Sequence, residues 1–494
     1  MKKTLSILFA LALVLSFSLV ATTPVAASTD RHVPGPYATI QAAIDDAVPG
    51  DTIIVAAGHI AEENLIITTD GLTLTTDASD PATIRYQAAT TSSVVDIRGE
   101  GVILESFIIE RNNGVSGTQA INVRRSNVIV RDTTIIGSDN FHGPNVIPGI
   151  HLTTGDPGSY DIPLAGVVLK DNHISGEFCY GVAVTTYTDA PIEASIEGNT
   201  FTGLVWDWYG DGDFRLGWGV LIADTAHVFF GGSIYLTITD NTFDAVHGIY
   251  MPAGDPATPL LDVAAHCNSF LGTGDWGIYN LSGFTVDATF NWWGDASGPY
   301  HATLNPGGTG NAVSDNVEFD PWLQADLTEP LSVQTSTDTG QTSFTPSHGG
   351  IASLSSVKAP SLPSVTFPHG MFSFQICCLT PGQTVTLIVN LPEPVPVGTV
   401  WWKYDNGRWY SLPNRNDNGN NIMVIRLTDG GTGDSDGMAD GFITDPGGPG
   451  NPMTVGWEGS PASKSALLWP WIALLAALMG GAGLFVWRRR RSEI

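Results

Sequence analysis

Apolar and polar positions alternate with unusual regularity between residues 149 and 282. Five short phrases carry the pattern: GIHLTT (149–154), GVAVTT (181–186), GVLIAD (219–224), GIYMPA (248–253) and GIYNLS (277–282). Each sets two residues apart by one: Ile150 with Leu152, Val182 with Val184, Val220 with Ile222, Ile249 with Met251, and Ile278 with Asn280. A period of two predicts a strand with one buried face. The phrases start 32, 38, 29 and 29 residues apart, and a second set runs in step: DNHISG (171–176), GNTFTG (198–203), DNTFDA (240–245) and CNSFLG (267–272). In these an Asn (172, 199, 241, 268) stands two residues before Ile174, Phe201, Phe243 or Phe270. Two strand-like phrases recurring together predict a solenoid, because no single coil can bury its own apolar column. An Asn repeated at a bend can stack into a ladder, its amide bonding the Asn of the next coil. The uneven spacing places loops of different size on coils of one cross-section, and such loops are where specificity resides.

The same reading extends in both directions. Strands are expected at 52–55, 64–68, 72–75, 93–97 and 102–109, and VIVRDTTIIG (128–137) with VVLKDNHISG (167–176) carries the second phrase back by one coil. Thr39 is placed to cap a helix running through Ala47, with Ile40, Ala43, Ile44 and Ala47 on one face to cover the open first coil. Asp45 and Asp46 diverge on that helix and form a solvated face. Beyond Leu323 the composition shifts. Residues 326–362, rich in Ser, Thr and Pro, read as a linker or the start of a second domain. Strand patterns at 371–377, 384–391, 398–405 and 421–427, with Pro-Gly and Asn-Gly turns between them, predict a small antiparallel β-sandwich over 363–452.

The termini read as export and anchoring signals. Lys2 and Lys3, an apolar run and Val25-Ala26-Ala27 make residues 1–27 a secretory signal peptide. After a linker at 453–465, residues 466–487 form an uncharged run long enough for a transmembrane helix, and the basic tail 488–494 places that end in the cytoplasm. The expectation is an exported protein, held in the membrane at the cell surface with its bulk outside.

Three segments carry a resemblance to a known family. YATIQAAIDDAVPGDTIIV (37–55) is similar to its cap helix and first strand, and the phrases above are similar to its coils. NWWGDASGPYHATLNPGGTGNAVSDNVEFDPWL (291–323) is similar to its closing segment. The chain thus resembles the right-handed parallel β-helix proteins of the pectate-lyase-like superfamily. That implies an all-β fold with a cap region at 28–48 and a solenoid at 49–325. FPHGMFSFQICCLTPGQTVTLIVNLPEPVPVGTVWWKYDNGRWYSLP (367–413) and TDGGTGDSDGMADGFITDPGGPG (428–450) together resemble a choice-of-anchor domain of type U. Such modules precede surface-sorting tails, so the resemblance implies attachment, with removal of the tail as an alternative to permanent anchoring.

Composition narrows the function. Charged residues are 14% of 494, with 56 Gly and 31 Pro, which suits a turn-rich β protein. A net charge of −28 excludes nucleic acid as a partner and is compatible with divalent cations. Of the four cysteines, Cys377 and Cys378 are adjacent, so a disulfide framework is not expected, and Cys179 and Cys267 read as buried or idle thiols.

The superfamily includes polysaccharide lyases and glycosidases, which implies a test for their residues. Arg215 is the single Lys or Arg between Lys170 and Lys358, and Val246 precedes His247 where a Gly-His-Gly segment would be needed. The outward column of the first phrase reads His151, Ala183, Leu221, Tyr250, Tyr279, without the paired carboxylates of glycoside hydrolysis. A carbohydrate site is instead expected on the insertion WDWYGDGDFRLGWG, through Trp206, Asp207, Trp208, Tyr209, Asp211, Asp213, Arg215 and Trp218. A weaker candidate is SDNFHGPNVIPGIH (138–151), with Asp139, His142 and His151. In DSDGMADGFITD, Asp434, Asp436, Asp440 and Asp445 have the spacing of a Ca²⁺ loop, though Met438 and Ala439 depart from an EF-hand. The alternative there is an acidic loop without metal. The resulting expectation is a non-catalytic module binding carbohydrate or another surface glycan. A polysaccharide-degrading enzyme with a divergent site and a structural surface component stand as alternatives.

Overall fold

The computed structural model describes residues 28–452 except 87–92, 113–118, 139–147, 155–161, 187, 207–214, 224–231, 245, 254–259, 273–274, 328, 361–364, 406 and 416–418. The stretches expected to be a signal peptide (1–27) and a membrane-spanning tail (within 453–494) lie outside the described residues. No helix among the described residues is long and apolar enough to cross a membrane.

The alternating phrases build a parallel β-helix. Among the described residues, parallel sheets of eleven, nine and eight strands run along the solenoid, and each complete coil contributes one strand to each. One coil reads Leu164–Lys170, His173–Gly176, Tyr180–Thr185, and the next begins at Ile192–Glu197. Ile150, Val182, Val220, Ile249 and Ile278 pair rung to rung in the nine-stranded sheet, and all five are fully buried. Leu65, Val95 and Ile121 continue that file toward the N-terminus. Each such side chain is worth about 1.5–3 kcal/mol when taken out of water. Since part of its cover comes from the coils on either side, stability belongs to the stack.

Two further columns fix the corner between the eleven- and eight-stranded sheets. Asp132, Asp171, Asp240, Cys267 and Phe290 hold φ of 51, 54, 58, 62 and 57°, a left-handed step that turns the chain sharply. One residue later the expected ladder forms and gains a fifth member. Nδ2 of Asn172, Asn199, Asn241 and Asn268 donates to Oδ1 of the next Asn at 2.9, 3.0, 2.9 and 3.0 Å, ending on Asn291. Two residues on, Phe201, Phe243, Phe270 and Trp293 stack at 5.0, 4.9 and 4.7 Å. This stack explains the glycine that opens the last four phrases of the nine-stranded sheet. A Cβ on Gly181, Gly219, Gly248 or Gly277 would lie 2.4, 2.3, 2.4 or 2.7 Å from one of those rings.

The helix spans Ile40–Asp45, with Thr39 Oγ1 accepting from the Ala42 N–H and Ile40, Ala43 and Ile44 buried over the first coil. Glu63 accepts from the N–H groups of Ile40 and Gln41, placing a carboxylate at the helix start. Asp45 and Asp46 are exposed as expected, and Asp46 also bonds Arg31 and Tyr37.

A four-stranded and a six-stranded antiparallel sheet follow. Strands Leu331–Gln334, Gln341–Pro346 and Gly350–Val357 place the 326–362 stretch inside this sandwich rather than in a linker. Phe344, Phe372, Phe374 and Trp401 form its core. The expectation for Cys267 requires correction: it is disulfide-bonded to Cys378, while Cys179 and Cys377 are buried and outside any disulfide. The partners are 111 residues apart, so neighbouring spacing could not reveal the pair. Around the disulfide, Phe290 packs on Phe442 at 5.0 Å, and Leu323, Ala352 and Cys377 are buried together. Ser269 donates to Asp326 at 2.7 Å. Solenoid and sandwich therefore share a covalent and an apolar junction.

Candidate functional site

The outer face of the nine-stranded sheet collects the polar side chains that alternation turns away from the core. Its central file reads Asp96, Asn122, His151, Ala183, Leu221, Tyr250, Tyr279. The last five are the expected column. Asp96 and Asn122, on two earlier coils, escaped the sequence reading. The signal was nonetheless present: VVDIR (94–98) and AINVR (120–124) repeat the phrase, each with an Arg two residues after the outward position.

These two coils form a charged cluster. The almost fully buried Asp96 carboxylate accepts from Arg98 Nε at 2.8 Å and Nη2 at 2.6 Å, and from Arg124 Nε at 2.9 Å. With the Asn122 amide turned so that its oxygen faces Arg124, that oxygen accepts from Nε at 2.8 Å and Nη2 at 2.6 Å. His151 Nε2 lies 2.6 Å from Thr185 Oγ1. Burial, with Arg124 as a lesser cause, pushes its imidazole down to about 4, so it is neutral at physiological pH. Among the described residues, one carboxylate and two guanidiniums make this cluster net positive on a chain of charge −28. Arg98 faces solvent with 42% of its side chain exposed, against 13% for Arg124.

The C-terminal half of the face is aromatic. Trp218 packs on His247 at 4.6 Å and on Tyr250 at 5.0 Å, Tyr250 stacks on Tyr279 at 5.9 Å, and Trp276 packs on Tyr279 at 4.4 Å. Trp218 also stacks on Tyr279 at 6.3 Å, so Trp218, Tyr250 and Tyr279 close into a triangle of mutually packed rings. Rings engaged with one another in this way brace the sheet across three coils.

Of the predicted insertion, Trp206 and Arg215 are opposite each other in a short antiparallel pair, and Trp218 returns to the aromatic row. Asp207, Trp208, Tyr209, Asp211 and Asp213 lie outside the described residues, as do Asp139 and His142. The insertion joins the nine-stranded sheet immediately before the Trp218–Ala223 strand.

The acidic loop of the sandwich does not gather its carboxylates. Asp434 accepts from the N–H groups of Gly430 and Thr444 at 2.9 and 3.0 Å, Asp436 from Met438 at 2.8 Å, and Asp440 from Phe442 at 3.1 Å. Asp445 turns into the core, 3.1 Å from Lys403 Nζ. Among the described residues no group of three or more His, Cys, Asp or Glu side chains is placed to hold a metal. As arranged, these four do not fit a single cation. Spacing along the chain missed that Asp445 sits on a strand, with its side chain inside.

A concavity of about 560 Å³ lies elsewhere, on the outer face of the eleven-stranded sheet, walled by Gly166, Glu193, Ser195, Tyr235, Thr237 and Asp262. Glu193, Tyr235 and Asp262 share one file. The two carboxylates are therefore two strand spacings, about 10 Å, apart. Its floor is broad and open, with Tyr235 39% exposed. The Asp96–His151 cluster is the better-built site, because the buried Asp96 and Asn122 hold Arg98 and Arg124 in place.

Comparison with protein-family models finds no match, and comparison with curated proteins finds none. Among solved structures, an alginate lyase from Paenibacillus sp. is 13% identical, covering 61% of this chain and 99% of its own, with a TM-score of 0.35. A pectin methylesterase from Aspergillus niger is 13% identical over 62% of this chain and 89% of its own, with a TM-score of 0.30. The enzymatically active domain of bacteriophage CBA120 tailspike protein 2 is 10% identical over 82% of this chain and 70% of its own, with a TM-score of 0.30. By its own strand pairing, the chain is an all-β protein built on a parallel β-helix.

Proposed function

We propose that the outer face of the nine-stranded sheet binds an acidic carbohydrate without turning it over, on a protein exported and held at the cell surface. The observation that carries the reading is the file Asp96–Asn122–His151 with Arg98 and Arg124 beside it. Arginine presents a planar fork to a carboxylate, which suits a uronate ring. The neutral His151 imidazole suits its hydroxyls, and the buried Asn122 amide holds Arg124 in position. Hydrolysis needs two carboxylates, and the described part of this face offers one, already engaged by two guanidiniums. A disulfide between the domains supports export, since such bonds persist in oxidising compartments. The test is calorimetric titration of the mature protein with oligouronates and with neutral oligosaccharides of the same length. Binding of the uronates alone, weakened about tenfold in Arg98→Ala through loss of one charge-assisted contact, is the expected result. Equal binding of neutral sugars, or no effect of Arg98→Ala, removes the reading.

A second reading is favoured by the 560 Å³ concavity. Glu193 and Asp262, about 10 Å apart by strand spacing, approach the separation of about 6.5–9.5 Å used by inverting glycosidases. Turnover of a polysaccharide panel, abolished by Glu193→Gln and by Asp262→Asn, is what this reading requires.

A further inference from the structure

The sandwich buries a lysine and an aspartate against each other, and nothing in the functions considered so far uses them. Alternation along Val400–Asp405 turns Trp401 and Lys403 inward, leaving Trp402 and Tyr404 half-buried. The neighbouring strand Ile443–Pro452 pairs Lys403 with Gly447, which brings Asp445 diagonally beside it. Lys403 and Asp445 side chains are both 0% exposed, with Nζ 3.1 Å from Oδ1. Nζ also donates to the Gly433 carbonyl. Neither Asp445 oxygen accepts a hydrogen bond of full geometry, and neither does the buried Trp401 Nε1–H find an acceptor of that quality. A Cβ on Gly447 would lie 2.2 Å from Trp401 Nε1 and 2.8 Å from Asp445 Oδ1, so glycine is what lets the three groups close up.

A buried ion pair is a poor source of stability, because each charge has lost its water. Low dielectric instead favours the neutral form of the buried acid. Burial pushes the Asp445 acid up to about 6, against the opposing pull of Lys403. Two adjacent strands hold nucleophile and electrophile at contact distance, which supplies the high effective concentration that amide formation lacks in water.

We propose that Lys403 and Asp445 condense to an intramolecular isopeptide bond. A proton passes from the Lys403 ammonium to the Asp445 carboxylate. The freed Nζ lone pair attacks Cγ, and the Trp401 N–H donates to the developing oxyanion. The Cγ–O bond to the protonated oxygen then breaks, and that hydroxyl leaves with a second Nζ proton as one water. Nothing is oxidised or reduced, and no co-reactant is consumed. The bond ties the Val400–Asp405 strand to the Ile443–Pro452 strand across the sheet.

Peptide mapping of the purified full chain by mass spectrometry tests this. The expected result is a branched peptide joining Lys403 to Asp445, lighter by one water than the sum of its two arms. Separate linear peptides carrying unmodified Lys403 and Asp445 overturn the proposal. Lys403→Ala leaves a buried carboxylate unpaired and endangers folding, so the paired replacement Lys403→Met with Asp445→Leu serves as the second variant. It is expected to fold, with the far-ultraviolet circular dichroism of the wild type, and to lose the branched peptide. A branched peptide still present in it, placing the link elsewhere, also overturns the assignment.

Discussion

Replacing Asn241 by the near-isosteric leucine removes one rung of the ladder while conserving volume. Asn241 Oδ1 accepts from the Asn199 backbone N–H at 2.9 Å and from its Nδ2 at 3.0 Å. Its Nδ2 donates to the Ile196 and Thr239 carbonyls at 2.8 and 2.9 Å and to Asn268 Oδ1 at 2.9 Å. Asn241 is 1% exposed, so water does not replace these partners. Leucine leaves the Asn199 N–H and at least one carbonyl without their partner, at about 1–3 kcal/mol each. The expected loss is about 2–6 kcal/mol, a large share of the roughly 5–15 kcal/mol that domains possess. The assay is urea unfolding followed by circular dichroism, paired with hydrogen exchange, because a solenoid can open a few coils at a time. Exchange should accelerate first at the coils on either side of residue 241. The exposed neighbour Asp244 provides the control, where alanine should change stability by under about 0.5 kcal/mol. A loss below about 1 kcal/mol in Asn241→Leu, or equal effects at both positions, refutes the view that the ladder holds adjacent coils in register.

Two other outcomes follow from the same geometry. The unfolded chain protonates His151 near its ordinary value and the folded chain does so only at about 4, so its contribution is complete above about pH 6.5 and is lost as the pH falls toward 4. The loss amounts to at most about 3 kcal/mol, and it is read as the difference between the stability–pH curves of wild type and His151→Gln; superimposable curves argue against a buried neutral imidazole. Gly219→Ala brings a methyl to 2.3 Å from the Phe243 ring and should cost about 1–3 kcal/mol in thermal unfolding, whereas Gly307→Ala, with nothing within 4 Å, should be nearly silent.

The internal file and the ladder were legible because each repeats at a fixed interval and each has a side-chain chemistry that stacks. Ile150 through Ile278 and Asn172 through Asn268 needed no knowledge of the connections between them. Asp96 and Asn122 were harder to read: their strands, SVVDI and QAINV, lack the opening glycine that marks the later phrases. The glycine itself was visible, but the reason for it, a ring of the Phe201–Trp293 stack pressing on its Cα, required the fold. Lys403 followed the alternation of WWKYD faithfully, yet its charge argued for solvent, and only the placement of Asp445 resolves that conflict. The Cys267–Cys378 pair was illegible in principle, since one sequence does not state which of four sulfurs meet. Asp434 and Asp445 have the spacing of a cation loop, but strand geometry sends one carboxylate to backbone amides and the other into the core.

The covalent junction between solenoid and sandwich also defines how the molecule carries tension. A pull between the N-terminal coils and the C-terminal sheet passes directly from sulfur to sulfur. The intervening stretch, set by a sequence separation of 111, is bypassed. The last coil, the closing segment and the first strands of the sandwich remain slack under that load, and unravelling them this way first requires reduction of one bond.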